Sequence, residues 1–341
     1  MTNLTLLGID IGKHSFHLHG QNSQGKMVFR KKVTRSQLIR HLAQIPACTV
    51  AMESCAGAHW LARQIITLGH QVKLIAPQYV KPFVKGNKND FIDAEAICEA
   101  ASRPSMRFVS IKTAEQQTLS ALHRLRESLI SHRTATINQV HGFLLEFGIS
   151  LPIGHAAITR LPALLELNSE RLPPRLVSVL MRLHRQYLSL SQEIKDIESD
   201  LKQQLKEDDA GSRLLTIPGI GPITASALAA DAGDASNYRC GRDFAAALGL
   251  VPRQYSTGGR QTLLGISKRG DKHLRRLLVQ GARSIMMHID KRQDALGIWL
   301  HALMARRHSN VVACALANKL ARIVWAVLAK GGTYKGYPHA V

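Results

Sequence analysis

Acidic side chains are scarce in this chain: 24 Asp and Glu stand against 45 Lys and Arg, a formal charge of +21 at pH 7. A surplus of that size points to a polyanionic partner, nucleic acid before an anionic membrane surface. No apolar run approaches the ~20 residues of a membrane span. The opening MTNLTLLGID leads straight into strand-like sequence, without the basic region and cleavable apolar stretch of a secretory leader. Both absences predict a cytoplasmic protein with no membrane partner. Paired cysteines are missing as well. Cys48, Cys55, Cys98, Cys240 and Cys314 are odd in number, scattered and without any CxxC, which excludes a disulfide framework and a zinc site and leaves ordinary buried thiols. The 16 histidines form no HExxH and no Cys/His cluster. What the chain does have is length, 341 residues, and a 45% hydrophobic content, enough for two or three folded domains.

Residues 4–9, 16–20, 27–33, 48–53 and 71–76 are short, apolar or alternating, and rich in Val, Ile and Leu, the pattern of strands. Brief turns (GKHS, then QNSQGK) join the first three into an antiparallel meander. Helical patterns near 36–45 and 57–69 then alternate with strands, which predicts parallel crossovers. Hairpin strands followed by strand–helix repeats describe an RNase H-like sheet.

Within that frame four of the scarce carboxylates stand out. Asp10 in GIDIG ends the first, central strand, and Glu53 in VAMES ends the fourth. Asp90 and Asp93 in NDFIDAEA are three apart at a helix start, so both project from one face. Hydrolysis or transfer at a phosphodiester needs its charge neutralised, and two Mg²⁺ ions ~4 Å apart do so when carboxylates from separate elements hold them. Taken singly, each Asp also reads as a helix cap or a surface charge, Asp90 above all. The opening GIDIGK also resembles the phosphate turn of sugar kinases and actin-like ATPases. Those need a second such loop and a Gly-rich adenosine pocket, and residues 211–341 contain neither.

Residues 113–148 form a long helical pattern with Leu119, Leu122, Leu125 and Leu129 on one stripe, followed by a Pro- and Gly-rich loop. Leu176, Leu180, Leu183, Tyr187, Leu190, Ile194, Ile197 and Leu201 then repeat at spacings of four and three, an a/d coiled-coil seam. The seam either pairs with helix 113–148 of the same chain or joins subunits. Beyond Gly211, IPGIGPITASALAADAGD sets Gly219 and Gly221 in a tight turn between apolar helices, a place where backbone N–H groups can hold a phosphate. The turn Ser256-Thr257-Gly258-Gly259 lies among Arg253, Arg260, Lys268, Arg269, Lys272, Arg275 and Arg276. Those cations are candidate nucleic-acid contacts and would lower the cost of a serine alkoxide at Ser256. By residue type alone the plain turn is the better reading, since Ser-Thr-Gly-Gly is ordinary loop chemistry.

Across nearly its whole length the chain resembles the DEDD transposases of bacterial insertion sequences, relatives of the Piv DNA invertase. The likeness rests on DIG…E…DxxD in the first half, and on IPGIGPITASALAADAGD, LGLVPRQYSTGG and GISKRGDKHLRRLLVQGAR in the second. It implies an α/β plus α protein: a RuvC-like (RNase H-like) catalytic domain over 1–108, a helical coiled-coil region over 109–210, and a mainly helical transposase domain with a helix-hairpin-helix-like turn over 211–341. It implies a recombinase that cleaves and rejoins donor and target double-stranded DNA, guided by a noncoding bridge RNA that pairs with both, in a nucleoid-associated tetramer built from dimers. Asp10, Glu53, Asp90 and Asp93 would then hold Mg²⁺ (or Mn²⁺), and Ser256 would be the nucleophile that forms a phosphoserine intermediate, with Thr257 the other candidate. Two other readings compete. A RuvC-type Holliday-junction nuclease would cut without serine chemistry, and an RNA-binding scaffold would need none of the carboxylates.

Overall fold

The computed structural model describes residues 3–86 and 89–336. It divides into two compact units, Met1–Glu115 and Gln116–Val341. In the first, β1 (Leu6–Ile11), β2 (Ser15–Gln21) and β3 (Met27–Thr34) form the antiparallel meander. The chain continues through α1 (Arg35–Gln44), β4 (Thr49–Glu53), α2 (Ala58–Thr67), β5 (Gln71–Ile75), the single turn α3 (Pro77–Val80), α4 (Asp90–Ser102) and β6 (Phe108–Val109). The strand order is β3-β2-β1-β4-β5-β6, with β1, β4 and β5 parallel and the two-residue β6 antiparallel at the edge. The order and directions of the first five strands are those expected of an RNase H-like sheet. β6 leaves no mark in the sequence because two residues carry no periodicity.

Strand alternation builds two apolar layers from one sheet. Leu7, Ile9, Phe16 and Leu18 face one side and pack with Leu38 and Leu42 of α1 and Leu61 and Ile65 of α2. On the other side Ala51 and Ile75 pack with Ala96, Ile97 and Ala100 of α4. Gly8 lets α4 approach β1: a methyl group there would meet the Ala94 carbonyl and lie 2.7 Å from Cys98 Sγ. This close approach sets the start of α4 beside the end of β1. His70 fastens the opposite side, accepting from the Cys48 N–H at Nδ1 (3.2 Å) and donating from Nε2 to the Leu42 carbonyl (2.9 Å). All five cysteines are free, and burial pushes Cys48 up to about 11 and Cys98 up to about 12, so both stay unreactive thiols.

The second unit begins within α5 (Ala114–Leu145) and continues through α6 (His155–Thr159), α7 (Leu161–Leu167) and α8 (Pro174–Glu207). The Pro- and Gly-rich stretch read as loop thus contains two short helices, and Pro174 stands at the first helical position of α8, where its missing N–H costs nothing. The apolar stripe of α8 is buried within the chain: Leu180 and Tyr187 cluster with Val140 and Leu144 of α5, and Ile194, Ile197 and Leu201 with Leu129. Arg126 and Glu198 tie the two helices at 2.6 Å.

The remaining elements are α9 (Asp209–Leu214), α10 (Pro222–Ala232), α11 (Gly241–Ala247), the hairpin β7 (Pro252–Thr257) and β8 (Arg260–Ile266), then α12 (Lys272–Met287), α13 (Ala295–Met304) and α14 (Ser309–Lys330). With 22 residues, α14 is by length and composition alone apolar enough to cross a membrane. Its place in the fold gives the physical reason: Val312, Leu316, Leu320 and Val324 are fully buried against the helices around it, as in the central helix of a folded core. Gly219, with φ +75°, packs backbone to backbone on Gly281 of α12, so its glycine serves close approach in the turn before α10.

His123 of α5 is only 4% exposed and its Nε2 meets Ser226 Oγ of α10 at 3.1 Å. Burial first, then the neighbouring His273 and Arg126 charges, pull its pKa down to about 4. An unfolded chain therefore binds a proton between pH 6.5 and about 4 that the folded chain refuses, and stability falls as pH drops through that window. The contribution lost between pH 7 and pH 5 is about 2 kcal/mol. His123→Gln, which keeps a polar partner for Ser226, should flatten the difference between urea unfolding free energies at those two pH values by that order. An unchanged pH slope would show that His123 takes up its proton alike in the folded and unfolded chains.

Candidate active site

Asp10 is the penultimate residue of β1, Glu53 the last of β4, and Asp90 and Asp93 occupy the first turn of α4. Because β1 and β4 are parallel neighbours, both end at the same rim of the sheet, where α4 begins. Asn89, not Asp90, caps α4: its side chain accepts from the Phe91 N–H at 2.9 Å. The capping alternative for Asp90 is therefore excluded, and its carboxylate is turned to another task. Two acidic groups in a first turn are favoured by the partial positive charge of a helix N-terminus.

Burial, then the charges of Asp10 and Asp93, hold the Glu53 carboxyl above its ordinary value. Asp10, His17 and Asp90 form a set whose ligand atoms all lie within 4.8 Å of one another, with His17 Nδ1 3.9 Å from Asp10 Oδ2 and 3.5 Å from Asp90 Oδ2. Gathering three or four carboxylates at a half-buried rim is electrostatically costly, and a divalent cation offsets that cost. The donor set is rich in hard oxygens, as Mg²⁺ or Mn²⁺ require, so the residues present fit such an ion. His17 went unnoticed in the sequence. The signal that finds it is the hairpin register, which sets His17 directly opposite Asp10.

The segment around Ser256 is not the plain turn that its composition allows but the end of an exposed β-ribbon. Gly258 and Gly259 have φ of +55° and +75° and form the two-residue turn between β7 and β8, a backbone that only glycine pairs adopt readily. Ser256 pairs with Gln261 and Thr257 with Arg260, so the two hydroxyls point to opposite faces. Gln254, two residues back on the Ser256 face, donates from Nε2 to Ser256 Oγ at 2.7 Å. At the foot of the ribbon, Gly249 packs on the backbone of Arg269 and Gly270 on that of Ala247, contacts no side chain would permit.

The seven basic candidates do not form a single group. Arg253, Arg260, Lys268, Arg269, Lys272 and Arg276 are exposed, whereas Arg275 is partly buried. Arg275 donates to the Leu248 carbonyl at 3.0 Å, and Arg276 is ion-paired with Glu127 of α5. Both also hold the fold together, which the sequence pattern did not reveal. Arg253 and Arg260 lie on the ribbon itself, and Lys272 opens α12.

A mixed sheet with clustered carboxylates at its rim, followed by a helical unit bearing an exposed basic ribbon, is a frame suited to metal-assisted chemistry on a nucleic-acid phosphodiester. Residues 7–149 match the family model of the IS110-type DEDD transposases, described as "Transposase". Residues 211–296 match the model of the "Transposase IS116/IS110/IS902 family". The chain is 59% identical over 334 residues to the transposase for insertion sequence element IS1328 of Yersinia enterocolitica, covering 98% of this chain and 99% of that one. It is 48% identical over 335 residues to a probable family 20 transposase of Pseudomonas aeruginosa (98% and 99% covered). With the transposase for element IS1111A of Coxiella burnetii it shares 42% identity over 336 residues (98% and 92% covered). The chain belongs to the IS110 family of insertion-sequence transposases. It is accordingly a DNA strand-transfer enzyme whose DEDD domain is RNase H-like and suited to a divalent metal.

Proposed function

We propose that this transposase cleaves and rejoins donor and target DNA under the guidance of a bridge RNA, with Asp10, Glu53, Asp90 and Asp93 holding Mg²⁺ and Ser256 acting as nucleophile. The observation that carries the metal half is the gathering of carboxylates at the sheet rim, where burial and then Asp10 and Asp93 raise Glu53, and ligand atoms of Asp10 and Asp90 stand within 4.8 Å. When bound there, Mg²⁺ supplies charge neutralisation on the phosphate oxygens and on the leaving oxygen.

Ser256 Oγ forms a bond to phosphorus as one bridging P–O bond of the DNA breaks. The serine hydroxyl gives up its proton, the departing deoxyribose oxygen gains one, and the products are a phosphoserine and a free hydroxyl end. Attack by a hydroxyl end of the other duplex reverses the step and restores the serine. No water enters, so the bond is exchanged rather than hydrolysed. Gln254 supports this role because a hydrogen bond donated to Oγ stabilises the negative charge that builds on it. Arg253 and Arg260 on the same ribbon, with Lys268, Arg269 and Lys272, are the cations proposed to hold phosphates.

The functional division is proposed as 1–108 for metal chemistry, 109–210 for a helical coiled-coil region, and 211–341 for the serine and nucleic-acid contacts, in an assembly of dimers that form a tetramer. Guidance by RNA rests on the family resemblance and agrees with the charge of +21. The test is to purify the protein from its host, sequence the RNA that comes with it, and supply that RNA with donor and target duplexes. Joined products that follow designed changes in the RNA are expected. Mg²⁺-dependent nicks without joining, whatever the RNA, would replace this reading with the Holliday-junction nuclease.

A further inference from the structure

His17 has no role in the chemistry proposed above, yet it is placed where that chemistry begins. Cross-strand register sets it opposite Asp10, so both side chains leave the sheet on the face covered by α4. It is 5% exposed, and its Nδ1 is fully enclosed without a hydrogen-bond partner. Leaving such an atom unmatched is costly, so an enclosed nitrogen aimed at two carboxylates calls for an explanation. His41 also has an enclosed nitrogen without a partner, but among the described residues no carboxylates are grouped with it as they are with His17, whereas His19 and His70 are fully engaged. His19 takes a hydrogen bond from Arg30 Nε at Nδ1 and meets Gln21 at Nε2, and His70 bridges Cys48 and Leu42. The edge of Phe91 packs against the His17 ring with centroids 4.8 Å apart, which fixes its orientation.

The distances decide what Nδ1 does. At 3.5 Å from Asp90 Oδ2 and 3.9 Å from Asp10 Oδ2 it is too far for good hydrogen bonds to either. Ligand atoms bound to one small divalent ion stand about 3 Å apart when adjacent and about 4 Å apart when opposite, given metal–ligand bonds of about 2.1 Å. Both distances from Nδ1 fall in that range, and the three ligand atoms lie within 4.8 Å of one another. The geometry points to His17 as a nitrogen ligand, through Nδ1, of the divalent ion shared with Asp10 and Asp90. This assignment rests on the proposed carboxylate site and adds a selectivity to it. Magnesium takes oxygen ligands almost exclusively, whereas Mn²⁺ accepts imidazole more readily, so a nitrogen donor tilts the site toward Mn²⁺.

The experiment is Mn²⁺ binding to the full chain, read by pulsed electron paramagnetic resonance, which detects a nitrogen bonded directly to the ion. The unsubstituted protein should show nitrogen coupling, and ¹⁵N-labelled histidine should change it in the way that isotope demands. His17→Gln should lose the coupling and weaken Mn²⁺ binding about tenfold or more, with Mg²⁺ binding weakened less. His17→Asp should restore Mn²⁺ affinity while still lacking the coupling, an outcome that a purely structural histidine would not give. Bound Mn²⁺ without histidine coupling in the unsubstituted protein overturns the assignment even if both variants misfold, as does coupling that persists in folded His17→Gln. Asp10→Asn separates the two ideas. If it leaves Mn²⁺ binding unchanged, the carboxylate site falls and His17 with it; if it abolishes binding while His17→Gln changes nothing, only His17 falls.

Discussion

Asp10→Asn is expected to reduce DNA strand cleavage by about three orders of magnitude while leaving the sheet folded. The substitution keeps the size of the side chain and removes one charge, so the β1–β2 register and the packing of α4 on Gly8 have no reason to change. What it removes is an anion at the point where β1, β4 and the first turn of α4 meet. Metal-assisted charge stabilisation at a phosphoryl group is worth several kcal/mol, and each 1.4 kcal/mol is a factor of ten in rate. Stability should hold or rise slightly, because Asp10 is one of the charges that raise Glu53, and its loss lets that carboxyl return toward its ordinary range. Single-turnover cleavage of donor DNA, paired with thermal unfolding, checks both halves. Cleavage within tenfold of the unsubstituted protein would move the catalytic metal away from this rim. Loss of activity together with unfolding would show that Asp10 is structural, which its position on a half-exposed rim argues against.

The same rim shows which features were legible in the sequence and which were not. Strands β1 to β5 were readable because each buries an apolar face, and burial imposes alternation or a continuous apolar run. Glu53 was readable as the polar residue that ends such a run. The cap at Asn89 was not, since Asn and Asp are equally good caps and only the hydrogen bond to the Phe91 N–H separates them. His17 was hidden for a different reason: its partnership with Asp10 is made by register, and residues seven apart acquire meaning only when the hairpin turn is fixed. The ribbon β7–β8 escaped because nearly all of its residues are exposed, so no hydrophobic alternation marks its strands. The pair Gly258-Gly259 was the remaining signal for a two-residue hairpin turn. For α14 composition alone does not separate the central helix of a core from one in a lipid bilayer, and burial does.

That ribbon bears the second large effect. Ser256→Ala should eliminate the covalent protein–DNA adduct, whereas Thr257→Ala should leave it. Removing an attacking nucleophile costs of the order of 10⁶ in rate where the chemistry depends on it. The two neighbours are a fair test of each other because both are exposed hydroxyls one residue apart on β7, directed to opposite faces of the hairpin. They differ in surroundings. Ser256 Oγ accepts from Gln254 Nε2, leaving its own proton free to depart; Thr257 lies across from Arg260, an arrangement suited to gripping phosphate. Thr257→Ala should therefore weaken DNA binding modestly and make it less dependent on salt, without abolishing the adduct. Gln254→Leu should slow adduct formation while the adduct still accumulates. Denaturing gels of protein trapped on end-labelled donor DNA separate these outcomes. An adduct in Ser256→Ala that disappears in Thr257→Ala would transfer the nucleophile to the other face of the ribbon, with Arg260 beside it. If both variants form adducts, the attacking group lies elsewhere, and the ribbon serves only to hold DNA.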